Sequence, residues 1–349
     1  MPEPVTMSAR SMNFRRTYRP VVLWTAVVLS LAVSGIARAE ATVPAAPKTL
    51  TFITPWLPQA QFAGYYAALE KGIYKKYGLD VTILHGGPNR SPYDFLVRQE
   101  ADVASLWLAS AIEKRVQGGR LVHIGQIVQK SALMLIAKKS SGIRTPKDME
   151  GKKVGLWDEI YQVQPKAFFE KNGIQVTIIP QSYSVSLFLR GGVDVSSAMW
   201  YNEYHTILNA GYDPDELTAF FFQDYGLSFP EDGLYVLEEK LAEDPARYAA
   251  FVKASMEGWQ YAFEHPEEIL EIVLRYMREA HVPANDVHQK WMLERMKDVV
   301  LPEDKGRLPG SLAEDDYLRT AGVLKESGLI DEIPPMAEFC KFEGGTREV

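Results

Sequence analysis

A block of sequence that occurs twice restricts the fold more than any other feature of this chain. Tyr77-Gly78-Leu79-Asp80-Val81-Thr82-Ile83 is echoed by Asn172-Gly173-Ile174-Gln175-Val176-Thr177-Ile178. Ala101-Asp102-Val103-Ala104-Ser105-Leu106-Trp107 is echoed by Val193-Asp194-Val195-Ser196-Ser197-Ala198-Met199-Trp200. Two copies at matched spacing predict two lobes of similar topology. Within the first, Thr51–Thr54, Leu79–Leu84 and Asp102–Trp107 read as strands, and Phe62–Tyr77 and Ser91–Gln99 as helices. Gly78 suits the left-handed position that ends a helix. The second series opens with a strand at Lys153–Trp157 and a helix at Pro165–Lys171. Such alternation implies βαβ units, hence an α/β fold in which each lobe is a mostly parallel sheet flanked by helices.

The last third changes character. Asp244–Glu279 reads as helical, with a break at His265-Pro266 and apolar faces built from Phe251, Met256, Trp259, Phe263, Ile269 and Val273. Having no sheet of its own, it is expected to pack back on the first lobe. Lobe 1 is then discontinuous, residues 48–138 plus 236–345, and lobe 2 is 139–235. The crossings fall near Lys138–Gly142 and Phe229–Leu237, where a few positions could absorb a hinge motion.

At the N-terminus Arg15, Arg16 and Arg19 precede an apolar run from Val21 to Val33, followed by Ala37-Arg38-Ala39. This reads as a secretory signal peptide over residues 1–39, cleaved near Ala39, with export to the periplasm. The run is shorter than the roughly 20 apolar residues that cross a bilayer. A net charge of −7 argues against nucleic acid as a partner. With Cys340 as the only cysteine and no metal-ligand spacing among six histidines, neither a disulfide nor a metal is expected, and no cofactor is implied. Phosphate-loop and nucleophile-elbow motifs are missing too.

Four tryptophans, Trp56, Trp107, Trp157 and Trp200, fall where a strand gives way to a loop. Ligands of open parallel sheets bind outside the carboxyl ends of the strands, so two facing sheets would aim these indoles into one cleft. Trp259 and Trp291 lie in helical stretches and read as core. Beside the cleft tryptophans stand Gln59, Gln61, Asp158, Asn202, Glu203, Tyr225 and Asp232. Carboxylates accept hydrogen bonds from amino or ring N–H groups. An anion binder would instead need bare N–H groups at a helix start, and Trp157-Asp158-Glu159 puts negative charge there. The set points to a flat, nitrogen-bearing ligand stacked between rings, although Asp158 and Glu203 also suit the first turn of a helix.

Trp56-Leu57-Pro58-Gln59-Ala60-Gln61-Phe62-Ala63-Gly64-Tyr65-Tyr66, Glu70-Lys71-Gly72-Ile73-Tyr74 and Thr145-Pro146-Lys147-Asp148-Met149-Glu150-Gly151-Lys152-Lys153-Val154-Gly155 carry a resemblance. So do Phe229-Pro230-Glu231-Asp232-Gly233-Leu234-Tyr235 and Glu257-Gly258-Trp259-Gln260-Tyr261-Ala262. The chain resembles the thiamine-pyrimidine-precursor binding proteins, type II periplasmic solute-binding proteins that serve ABC importers. The resemblance implies a two-lobed binding fold without enzymatic activity, and a monomer that delivers its ligand to a permease and ATPase complex in the inner membrane. It also implies that Trp56, Trp200 and Tyr225 stack on a pyrimidine whose amino group meets Glu203. Phe62 stands where some relatives have histidine, and Trp157-Asp158-Glu159 where some have a glycine-rich loop. Riboflavin, another heterocycle, an aromatic amine or a sulfonate or nitrate therefore remain alternative ligands. A related pyrimidine synthase shares the fold but uses a cysteine-rich segment, which this chain lacks. A receptor-docked sensor is the third reading.

Overall fold

The structure, a computed structural model, describes residues 46–301 and 308–341. The signal segment read at residues 1–39 lies outside the described residues, as does the end of the expected first lobe beyond residue 341. Among the described residues no helix is long and apolar enough to cross a membrane.

Among the described residues ten strands form two five-stranded sheets. The first contains β1 (Lys48–Thr54), β2 (Leu79–His85), β3 (Val103–Leu106), β4 (Leu121–Val128) and, returning late in the chain, β10 (Glu231–Leu237). The second contains β5 (Leu133–Lys138), β6 (Lys153–Leu156), β7 (Thr177–Pro180), β8 (Val195–Met199) and β9 (Leu217–Phe221). Their orders, β2-β1-β3-β10-β4 and β7-β6-β8-β5-β9, are the same topology written twice. Each sheet holds one antiparallel strand, β10 or β5, and that strand is the first element after the chain changes sheet.

Two aspartates account for the echo in the sequence. Asp102 Oδ2 accepts from the Thr51 amide at 2.7 Å, and the Asp102 amide donates to Thr51 O at 2.8 Å. Asp194 repeats this with Lys153, at 2.9 and 2.8 Å. In both lobes the aspartate entering the third strand therefore pins the first strand beside it.

The expected crossings need correction. Leu133–Lys138 pairs with β8 and β9 in the second sheet, so the chain changes sheet at residues 129–132 rather than near Lys138–Gly142. It returns across residues 222–230, because Glu231 already pairs with Val128 in the first sheet.

The helices in chain order are α1 (Ala63–Glu70), α2 (Ile73–Lys76), α3 (Pro92–Val97), α4 (Leu108–Val116), α5 (Val163–Asn172), α6 (Ser186–Leu189) and α7 (Glu203–Asn209). After β10 come α8 (Glu238–Glu243), α9 (Pro245–Glu264), α10 (Pro266–Glu279), α11 (Asp286–Val300), α12 (Glu314–Glu326) and α13 (Met336–Phe339). The helix expected over Phe62–Tyr77 is broken between α1 and α2, where Gly72 takes a φ of +68° that an L side chain adopts only with strain. The long α9 lies on the first lobe, as its apolar face requires. Its crossing with α1 is so close that a Cβ on Gly64 would meet the Trp259 indole at 2.2 Å, and one on Gly258 would meet Gly64 O at 2.3 Å. Phe52 of β1 fills the layer between, with ring centroids 4.6 Å from Tyr65 and 5.3 Å from Phe251.

Candidate ligand site

Where the strand ends of the two sheets face each other there is a cavity of about 140 Å³. The turn after β1 contributes Pro55, Trp56, Gln59 and Gln61, and Trp107 follows β3 directly. From the second sheet come Trp157 and Tyr161 after β6, Tyr183 after β7, and Met199, Tyr201, Asn202 and Glu203 at the end of β8. An adjoining hollow of about 260 Å³ shares Trp56, Trp107, Tyr161 and Tyr183 with it and adds Asp158, Arg90 and Lys114. A larger hollow of about 540 Å³ lies elsewhere, against β4, α8 and α9, and takes no residue from β5–β9. The interlobe cavity and its adjoining hollow both set aromatic and polar groups of the two sheets against each other.

The rings form a continuous wall. Trp56 meets Tyr183 edge-on with centroids 4.5 Å apart, and Trp107 meets Tyr161 at 4.7 Å. Tyr161 in turn lies 5.9 Å from Trp157. Short bonds fix the loops that carry them: Thr54 Oγ1 donates to Trp56 O at 2.9 Å, and Gln162 Nε2 to Trp157 O at 2.7 Å. Trp157 is buried, yet its Nε1 has no acceptor.

The polar side is a run of buried groups. Gln59 Nε2 donates to Gln61 Oε1 at 2.6 Å, and Gln61 Nε2 to Asp232 Oδ2 at 2.7 Å. Asp232 thus stands behind Gln61 rather than on the cavity wall, with its backbone at φ +43°. Glu203 begins α7 and accepts from the Met199 amide at 2.9 Å and from Asn202 Nδ2 at 2.8 Å. Burial drives the Glu203 carboxyl up to about 7 despite the Met199 N–H, which favours the charged form. Asp232 is likewise raised by burial, to about 6, with Gln61 and Trp107 pulling the other way. Exposed Asp158 accepts from Tyr183 Oη at 2.8 Å and lines only the adjoining hollow.

Two expected residues lie elsewhere. Counted from the paired aspartates, Trp107 matches Met199, so Trp200 is one residue out of step. Side chains alternate faces along a strand, and Met199 and Tyr201 point into the cavity while Trp200 does not. Trp200 packs instead against Phe221 and under the Arg295 guanidinium, 5.2 Å from its ring, and its carbonyl accepts from Trp291 Nε1 at 3.2 Å. Trp291 is accordingly a lobe-to-lobe contact, not core. Tyr225 packs edge-on against Phe168 at 4.8 Å, away from the cavity. Sequence reasoning missed Pro55, Tyr161, Tyr183, Met199 and Tyr201. Alternation from Met199 signals Tyr201, whereas nothing local marks Tyr183.

Comparison with known proteins bears on this geometry. The NMT1/THI5 like family model matches residues 59–269. The chain belongs to the NMT1/THI5-like family. Among family-related proteins, one of Haemophilus influenzae named for thiamine biosynthesis is 22% identical over 86% of this chain and 94% of its own length. The formylaminopyrimidine-binding protein of Halalkalibacterium halodurans is 23% identical over 68% of this chain and 73% of its own. In fold, the periplasmic aliphatic sulphonate binding protein SsuA of Escherichia coli superposes with a TM-score of 0.64 at 15% identity, over 84% of this chain and 97% of that one. The NMT1/THI5-like chain therefore has the two-lobed α/β fold of periplasmic binding proteins, and its family supports a substrate-binding role.

Proposed function

We propose that this chain is a periplasmic solute-binding protein of an ABC importer that closes its lobes on a small aminopyrimidine of the thiamine-precursor type. The observation that carries the reading is the interlobe cavity itself: aromatic rings from both sheets, with Glu203 as acceptor. An aminopyrimidine matches both, since its flat ring can stack and its amino group donates. The cavity, about 140 Å³, is smaller than the ~300–1,000 Å³ of drug-sized sites, which favours one ring with small substituents. A flavin would have to extend into the adjoining hollow. The relative named as a formylaminopyrimidine-binding protein supports the same class. On this reading Trp56, Gln59, Gln61, Trp107, Trp157, Asn202 and Glu203 are ligand contacts, Asp158 borders the entrance, and Asp232 supports Gln61. Export by residues 1–39, delivery to a permease and ATPase complex, and release of an unaltered ligand belong to the same proposal. Titrating the purified chain with 4-amino-5-hydroxymethyl-2-methylpyrimidine, riboflavin and an alkanesulfonate, followed by tryptophan fluorescence, tests it. Saturable quenching by the pyrimidine, recovered chemically intact, is expected. Quenching by the sulfonate alone, or conversion of the pyrimidine, would refute it.

A further inference from the structure

The polar wall of the cavity continues past Glu203 into the opposite lobe. Asn202 uses both ends of its amide: Nδ2 donates to Glu203 Oε1, and Oδ1 lies 2.9 Å from His288 Nε2. Asn202 and Glu203 sit at the start of α7, on β8 of the second sheet. His288 belongs to α11, which packs against β4 and α10 on the first. The other nitrogen of His288, Nδ1, lies 2.9 Å from His205 Nδ1, back on α7, and Asn209 Nδ2 is 3.2 Å from that same His205 atom. The chain of groups thus leaves the cavity, crosses between lobes and returns.

Its members are held firmly. The His288 amide donates to the α11 cap, Asn285 Oδ1, at 2.9 Å. His205 stacks on Trp291 with centroids 4.8 Å apart and planes 11° from parallel. His288, Trp291 and Arg295, spaced three and four residues apart, form one stripe of α11, and each contacts the second lobe.

Hydrogen-bond chemistry allows this chain two directions. With Glu203 ionised, Asn202 Nδ2 donates to it, so Asn202 Oδ1 faces His288, whose Nε2 must carry the proton. A neutral imidazole carries one proton, so His288 Nδ1 accepts, His205 Nδ1–H donates, and Asn209 turns its carbonyl toward His205. With Glu203 protonated, every step reverses. The Glu203 O–H donates to Asn202 Oδ1, Nδ2 donates to His288 Nε2, and His288 Nδ1–H donates to His205, which also accepts from Asn209. Amide ends exchange by rotation, so both directions are complete. A mixture of the two sets N–H against N–H or lone pair against lone pair.

We propose that His288 is a positioning residue for ligand recognition: reaching across from the first lobe, it holds the Asn202 amide with Nδ2 toward Glu203 and so keeps Glu203 the ionised acceptor for a ligand N–H group. The wall that recognises an N–H group then draws on both lobes, through contacts the structure makes without a ligand. This rests on the cavity being the ligand site, and two readouts separate the claims. In ligand-free full-length protein at about pH 9, with Glu203 ionised, long-range proton–nitrogen NMR should find His288 protonated on Nε2. Asn202→Ala should abolish that preference. An Nδ1-protonated His288, or a tautomer indifferent to Asn202, overturns the proposal, and neither result needs a ligand. In binding, His288→Ala should weaken 4-amino-5-hydroxymethyl-2-methylpyrimidine about tenfold while affecting its 4-hydroxy counterpart by less than about threefold, and His288→Gln should restore most of the loss. Equal loss for both pyrimidines, or no loss, overturns it. Should the unaltered chain bind neither, the proposed function fails and the tautomer still decides the role of His288.

Discussion

Glu231 Oε1 lies 2.9 Å from the Ala132 amide nitrogen, so one buried carboxyl joins the two segments that pass between the sheets. It also accepts from Ser131 Oγ at 2.9 Å and the Leu133 amide at 3.2 Å, while Ser228 Oγ accepts from the Ser131 amide at 3.2 Å. The crossings are thus tied to each other as well as to the sheets, and bending at one must involve the other.

Stability should depend on pH through this junction. Burial, with neighbouring Asp232 adding repulsion, pushes Glu231 up to about 8, and burial pushes Glu203 up to about 7. Carboxyls raised on folding stabilise the native state fully below their unfolded values, and that contribution is lost as pH rises through the folded ones. Burial lowers His85, His123 and His288 to about 4, which acts oppositely as pH falls from about 6.5 toward 4. Above about 6.5 only the carboxyls of this group remain in play. Thermal melts should therefore show Tm falling between about pH 6.5 and 8.5, and Glu231→Gln should flatten that fall. A flat profile in the unaltered chain would contradict the burial cost.

Glu203→Gln should weaken an amino-bearing pyrimidine by about 1–3 kcal/mol, because a charged buried acceptor is replaced by an amide. Calorimetric titration measures it directly. An unchanged affinity would remove Glu203 from the site.

Gly64→Ala should destabilise the chain by about 1–3 kcal/mol by overpacking, since its Cβ would fall 2.2 Å from the buried Trp259 ring. Neither Gly64 nor Trp259 lines the cavity, so the urea midpoint should drop while affinity changes little. Loss of binding without loss of stability would contradict this.

Asp102→Ala and Asp194→Ala should each cost about 1–3 kcal/mol by leaving a strand amide unpaired. Asp102 also meets Arg247 at 3.0 Å, so its loss should be the larger. Denaturant unfolding of the two variants tests that order.

Much of the architecture was legible because the repeat has a mechanical cause: Asp102 and Asp194 perform the same pairing. The crossings were not, since nothing within Leu133–Lys138 or Glu231–Leu237 marks its sheet, and only pairing partners assign them. In the site, Trp56, Trp107 and Trp157 could be read from strand ends, because each lies within two residues of one and faces the cavity. Trp200 could not. It lies one residue beyond the register shared with Trp107, and one residue is enough to turn a side chain to the opposite face. Tyr183 reaches the cavity from the loop after β7 through contacts with Trp56 and Asp158 that are distant in sequence. His288 escaped notice for the same reason, being 83 residues from His205.

The most direct test is a crystal structure of the chain with 4-amino-5-hydroxymethyl-2-methylpyrimidine bound. We expect the ring between Trp56, Trp107 and Trp157, its amino nitrogen about 2.7–3.2 Å from Glu203. A pyrimidine seated instead in the hollow between β4 and α9, with the interlobe cavity unfilled, would contradict the account.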